Sequence, residues 1–149
     1  MEVVIRPGKI EDVPQALQLI KELALFEKEP DEVITTTASM ERDGFGKHPA
    51  YILTVAELNK QVVGIAIYFV KYSTWKGKGV YLDDLVVSES MRGKGIGQLL
   101  FDHVINYSKS IDAKQMHWQV LDWNEPAITF YKKFNASFDN GWVNCKLNF

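Results

Sequence analysis

Two adjacent carboxylates, two cations and three glycines fall within one short stretch of this 149-residue chain. Asp83-Asp84 interrupts an apolar, β-branched run, Val80–Val87. That run leads directly into Ser88-Glu89-Ser90-Met91-Arg92-Gly93-Lys94-Gly95-Ile96-Gly97. A strand that delivers glycines and cations to a helix N-terminus is a phosphate-binding device. Unpaired backbone N–H groups and the positive end of the helix dipole face the anion, and glycine lets it approach the backbone. A nucleotide loop needs Gly-Lys followed by a hydroxyl residue for magnesium, but Gly95 follows Lys94 here. A dinucleotide fingerprint needs Gly-x-Gly-x-x-Gly in a first βαβ unit. Glycines at 93, 95 and 97, preceded by several strands, do not supply it. What remains is Arg-x-x-Gly-x-Gly at Arg92, Gly95 and Gly97. A tight turn alone would need one or two glycines rather than three with a flanking arginine.

Asp83 and Asp84 are anomalous where they stand. Aspartate is depleted in strands, and burying a carboxylate without a partner is expensive. Strand alternation sends the two to opposite faces unless a bulge intervenes. A structural ion pair and the binding of a protonated substrate both remain open for them.

The elements that must position these groups follow from periodicity and turn chemistry. Glu2–Arg6 reads as a strand closed by Pro7-Gly8. Val13–Phe26 reads as a helix from its spaced apolar residues, with Asp12 as cap and Pro14 in the first turn. Ala38–Asp43 is a short helix. Tyr51–Glu57 and Val62–Tyr72 form an antiparallel hairpin across Leu58-Asn59-Lys60-Gln61. Gly77-Lys78-Gly79 turns the chain into Val80–Val87. The helix after the glycine loop runs from Ile96 to Ser110, with Ile96, Leu99, Leu100, Val104 and Tyr107 as its apolar stripe. Gln115–Leu121 is the next strand. Asn124 caps a helix with Pro126 in its first turn, ending near Phe134, where Asn135 takes a left-handed cap. Val143–Phe149 is a last strand. The expected architecture is α/β, a mixed, mostly antiparallel central sheet flanked by helices in the order β-α-α-β-β-β-α-β-α-β. No repeat or linker interrupts it, so residues 1–149 read as one domain.

Composition narrows the function. Apolar residues at 46% and charged residues at 24% are ordinary for a soluble protein. A net charge of −2 argues against a nucleic-acid partner, which would need a basic face. No apolar run approaches the ~20 residues of a membrane span. The absence of signal-peptide features and the single cysteine point to a reducing cytoplasm. That residue, Cys145, shares one strand face with Val143, Leu147 and Phe149, which places its thiol in a core-like stripe rather than at a nucleophilic site. His48, His103 and His117 lie on separate elements without metal-ligand spacing, so no metal is expected.

With Arg92, Gly95 and Gly97 in this element order, the chain resembles the GNAT superfamily of N-acetyltransferases. Arg6-Pro7, Leu19–Ala24, Asp43–Pro49, Trp123–Lys132 and Gly141-Trp142 narrow the resemblance to the diamine (spermidine/spermine) and thialysine N-acetyltransferase family. The resemblance implies acetyl-CoA as co-substrate, a primary amine on a small polyamine-like or lysine-like molecule as acceptor, direct transfer and a homodimer. It implies that the backbone of Leu85, Val86 and Val87 pairs with the pantetheine arm. Arg92, Gly93, Lys94, Gly95, Ile96, Gly97 and Gln98 would hold the pyrophosphate, and Asn124, Glu125, Pro126 and Ala127 make a further coenzyme contact. Tyr131 matches the general acid that protonates the departing thiolate; by itself it reads as a tyrosine packed among Ile128, Phe130 and Phe134, and the surrounding Trp-Asn-Glu-Pro…Phe-Tyr match reverses that reading. Asp83 matches a carboxylate that binds the amine and takes its proton. The family residue there is glutamate, so this side chain is shorter by roughly 1.5 Å, which favours a water relay. Phe26, Glu27, Asp84, His117, Trp118 and Gln119 match positions that line the amine channel. Glu27 alone would read as one charge in a solvated acidic run (Glu27, Glu29, Asp31, Glu32), and His117 as a half-buried strand residue.

Overall fold

A computed structural model describes residues 2–149. One compact unit ends at Gln119, and a second, Val120–Phe149, follows.

The first unit is built on a five-stranded sheet in the order β1 (Val4–Pro7), β2 (Ile52–Leu58), β3 (Gln61–Ser73), β4 (Gly77–Val87) and β5 (Gln115–His117). Every neighbouring pair is antiparallel except β4 and β5. The β2–β3 turn is tighter than the four-residue connection expected from sequence. Leu58 pairs with Gln61, and Asn59 and Lys60 both take positive φ, at 50° and 64°. Two left-handed residues make a turn whose twist matches that of the strands it joins.

Helices α1 (Val13–Phe26) and α2 (Thr37–Phe45) cover one face of the sheet. Val13, Ala16, Leu17 and Leu19 pack there with Met40 of α2 and with Leu53, Val55, Ile65, Ile67 and Val86 of the strands. Each such fully buried aliphatic side chain contributes about 1.5–3 kcal/mol. On the opposite face, α3 (Ile96–Ser110) buries Ile96, Leu100, Phe101 and Val104, and Tyr68 of β3 meets Tyr107 edge-on at 5.2 Å. Leu99, expected in the α3 stripe, is exposed. Asp12 does not cap α1 with its side chain. It takes a bidentate ion pair from Arg6 (2.8 and 3.0 Å) and the Lys9 N–H at 2.7 Å. Arg6 also donates to Glu57 at 2.6 Å, so one guanidinium ties β1, β2 and the start of α1.

β5 stops at His117 rather than Leu121, and pairs with β4 only from Gly79 to Tyr81. Among the described residues, the β5-facing edge of β4 is therefore without a strand from Leu82 to Val87. In the second unit, α4 (Glu125–Lys132) is capped by Asn124, whose Oδ1 accepts the Ala127 N–H at 3.3 Å. Asn135 has the expected left-handed φ, 57°. The expected strand Val143–Phe149 does not form. No ladder among the described residues includes it, and without a partner the extended segment has nothing to bury its alternating side chains against. Val143, Leu147 and Phe149 are exposed, and so is Cys145, which corrects its placement in a core-like stripe.

Candidate active site

The carboxylates are assembled by an irregularity in β4. Ile67 of β3 pairs with Asp84 and Tyr68 pairs with Leu82, leaving Asp83 as the extra residue of a β-bulge. A bulge inserts one residue and reverses the parity of everything beyond it. Asp84 and Val86 consequently share the α1 face with Tyr81, whereas simple alternation would have turned them to the α3 side. Both aspartates open into one cleft of about 400 Å³. Ile20, Val33, Met40, Tyr51, Ile67 and Phe69 give that cleft apolar walls, and Glu32 and Asp43 add further acid. A second hollow of about 210 Å³ adjoins it, sharing Ile20, Glu32, Val33 and Asp84 and adding Glu27 and Glu29. No lysine or arginine lines either hollow.

Burial perturbs these acids, and like charge adds to it at Asp84. Burial, then the charges of Asp83 and Glu27, pushes Asp84 up to about 7. Burial also raises Asp83 and Glu27. No hydrogen bond or ion pair among the described residues reaches Asp83 or Asp84. A carboxyl group poised near neutrality beside other carboxyl groups can hold a cation and accept its proton. Glu29, Glu32 and Asp43 were not singled out by sequence. The acidic run Glu27–Glu32 was the available signal, but only tertiary packing brings it against β4. Asp43 is partly answered by Arg42 at 3.2 Å.

The glycine loop lies at the end of the same strand. Gly93 and Gly95 have φ of 75° and 79°, a region that costs other residues strain, and Gly95 is the N-cap of α3 with no side chain covering the first helical N–H groups. Gly97 has ordinary φ, and a Cβ there would meet only Val87 Cγ2 at 3.8 Å. The fold does not require glycine at 97, whereas a phosphate lying close to the backbone would. Residues 92 to 95 are exposed around it, so the loop fits the anionic group that its sequence implies. Arg92 donates from Nε to the Val87 carbonyl at 3.2 Å and lies over the Phe26 ring at 5.8 Å. Phe26 thus sits beside the anion loop and lines neither acidic hollow.

The Ser88 N–H bonds the Val63 carbonyl. By antiparallel alternation, the N–H and C=O groups of Leu85 and Val87 then point away from β3, toward the strand-free edge. Val86 does not follow its neighbours: its backbone groups turn inward to β3 and its side chain lies in the core. On that edge the Val87 carbonyl already accepts the Arg92 Nε–H, and the Leu85 N–H and C=O and the Val87 N–H are also turned outward.

His117, Trp118 and Gln119 line neither hollow. His117 lies edge-on to Tyr81 at 4.9 Å, and Trp118 packs edge-on against Phe101 of α3 at 5.1 Å, on the other side of the sheet. In the second unit, α4 carries Glu125, Pro126, Ala127 and Tyr131, whose ring meets Phe130 at 5.4 Å. Among the described residues, no group of three or more His, Cys, Asp or Glu side chains could hold a metal ion, and no helix is long and apolar enough to cross a membrane.

Comparison with known proteins agrees with this geometry. A model of the acetyltransferase (GNAT) family matches residues 15–136. The chain is 38% identical over 142 residues to a thialysine N-epsilon-acetyltransferase of Bos taurus, a match that covers 90% of this chain and 84% of that protein. It is 35% identical over 148 residues to spermidine/spermine N(1)-acetyltransferase-like protein 1 of Homo sapiens, covering 93% of this chain and 21% of that longer protein. An integron cassette protein from the mobile metagenome of V. cholerae has the same fold, with a TM-score of 0.80 and 24% identity over 99% of this chain and 93% of that one. Sheet, glycine loop and sequence kinship converge: the chain belongs to the acetyltransferase (GNAT) family and is an N-acetyltransferase.

Proposed function

We propose that this enzyme moves the acetyl group of acetyl-CoA directly onto a primary amine of a small cationic acceptor, polyamine-like or lysine-like. The observation that carries the reading is the acidic cleft at the β4 bulge, where Asp83, Asp84 and Glu32 face a space lined by no basic side chain. Such a space attracts an ammonium group, and the apolar walls accommodate a methylene chain.

Acetyl-CoA supplies the acyl group and a thiolate leaving group. Arg92 to Gln98 hold its pyrophosphate through backbone N–H groups, and Leu85 and Val87 pair with its pantetheine arm. Asn124 to Ala127 make a further contact on the resemblance. Asp84, assisted by Asp83 directly or through water, binds the ammonium and takes its proton, so that a neutral amine attacks. On the same resemblance Tyr131, through its phenol O–H, returns a proton to the thiolate. Most of the acceleration comes from positioning the two reactants. The same resemblance extends the proposal to a homodimer in a reducing cytoplasm.

The test is CoA release with putrescine, spermidine, thialysine, lysine and a peptide as acceptors. Turnover on at least one small amine is expected. Acetyl-CoA binding without turnover on any of them would refute the reading, and turnover on the peptide alone would reassign it to a protein acetyltransferase.

A further inference from the structure

Among the described residues no basic side chain lines the acid cleft, and the same sheet face carries, further along β3, a cation without a carboxylate. On the α1 face of β3, Ile67, Phe69 and Lys71 follow one another at alternate positions. Ile67 pairs with Asp84, Phe69 with Tyr81 and Lys71 with Gly79. Phe69 is the last of the three to line the cleft, and its ring lies 5.4 Å from Tyr81. The Lys71 side chain folds back over that same Tyr81 ring, with Nζ 5.7 Å from its centroid. Nζ is fixed there by His117 Nε2 at 3.2 Å.

The chemistry of this contact is determined. An ammonium group can only donate, so Nε2 accepts and the proton of the neutral imidazole sits on Nδ1. Nδ1 is buried and has no hydrogen-bond partner. Burial and the Lys71 charge both hold His117 below its ordinary pKa, which keeps the ring neutral and the lysine anchored. Lys71 spends one N–H on the ring. Its charge meets no carboxylate among the described residues, since its partners are a neutral imidazole and an aromatic face.

We propose that Lys71 is a specificity-determining residue that receives the carboxylate of the acceptor, so that the preferred substrate is a basic amino acid acetylated on its side-chain amine. The spacing supports this. One same-face step along a strand, from the Ile67–Asp84 pair to the Phe69–Tyr81 pair over which Nζ lies, is about 7 Å. An extended lysine, with bonds of about 1.5 Å, also spans roughly 7 Å from ammonium to carboxylate. With the ammonium at Asp84, the carboxylate reaches Lys71, and the methylenes lie along Ile67 and Phe69. A carboxylate held nearer the acids would be repelled by them, so the separation of the two charged groups is itself selective. This inference rests on the amine-acetyltransferase reading above.

The experiment compares lysine with cadaverine, which has the same carbon chain and terminal amine but no carboxylate. The wild-type enzyme is expected to prefer lysine in kcat/KM. Lys71→Met is expected to reduce the lysine-to-cadaverine preference about tenfold, mainly through KM for lysine. Lys71→Arg, which keeps the charge, is expected to retain most of it. Equal or better use of cadaverine by the wild type, or an equal loss on both amines in Lys71→Met, would overturn the assignment and leave the amine-acetyltransferase reading standing. Failure of every amine would overturn both. Circular dichroism of both variants verifies that they fold.

Discussion

Replacing Asp84 with asparagine should make this protein more stable and much less active, with a stability gain that depends on pH. Asp84 has an ordinary value of 3.8, and burial beside Asp83 and Glu27 raises it to about 7 in the folded state. Below pH 3.8 the group is protonated whether the chain is folded or not, and it costs nothing. As pH rises the unfolded chain ionises first, so folding becomes progressively less favourable until the folded group also ionises near pH 7. At about 1.36 kcal/mol per pH unit, the interval from 3.8 to about 7 sets a ceiling of about 4 kcal/mol. Asp84 keeps partial solvent access, and screening brings the expected gain of Asp84→Asn to roughly 2–3 kcal/mol at pH 8. For a chain of this length that is a rise in Tm of roughly 5–10 °C. The assay is thermal unfolding of both proteins at intervals from pH 4 to 8. The gain should be close to zero at pH 4 and complete by pH 8. In parallel, kcat/KM for the preferred amine should fall about 100-fold or more at neutral pH, and its acid limb near pH 7 should disappear. A stability difference that is the same at pH 4 and pH 8, or a loss at pH 8, would refute the account of Asp84 as a carboxyl group strained by burial and like charge.

Tyr131→Phe should lower kcat about 100-fold with little change in either KM, measured by steady-state kinetics; full activity would remove the acid assignment. Gly95→Ala should cost about 1–2 kcal/mol in urea unfolding because φ is 79° there, whereas Gly97→Ala should leave stability within about 1 kcal/mol and weaken acetyl-CoA binding by calorimetry. Arg6→Met should destabilise the fold by about 2–3 kcal/mol, because it leaves Asp12 and Glu57 without their cation. Arg6 holds Asp12 below its ordinary value of 3.8, so the pair's contribution is present above that pH and fades as pH falls through the lowered folded value. Urea titrations should show the wild-type advantage shrinking below pH 3.8.

The loop and the helices were legible because their determinants are local. Gly95 is glycine on account of its own φ, Asn124 caps through a residue three positions on, and α3 begins and ends where the apolar period does. Strand ends were less legible. β5 is short because its pairing with β4 stops at Tyr81, and the last strand is missing because a strand exists only with a partner. Asp12 looked like a cap and is an ion-pair partner, since Arg6 and Glu57 reach it from other strands.

Sequence by itself determined the glycine loop. A phosphate cradle is made of backbone conformation, and backbone conformation is set by which residues are glycine. The acid cleft was decided by tertiary structure. Asp83-Asp84 is visible as a dipeptide, but which face each carboxylate takes depends on a one-residue excess of β4 over β3, a property of the pairing and of neither strand alone. Packing of α1 and the turn after it sets Glu27 and Glu32 beside Asp84, and Lys71 of β3 lies over Tyr81 of β4. Charge that is ordinary along the chain gathers into an acidic cleft only when packing removes water from between like groups.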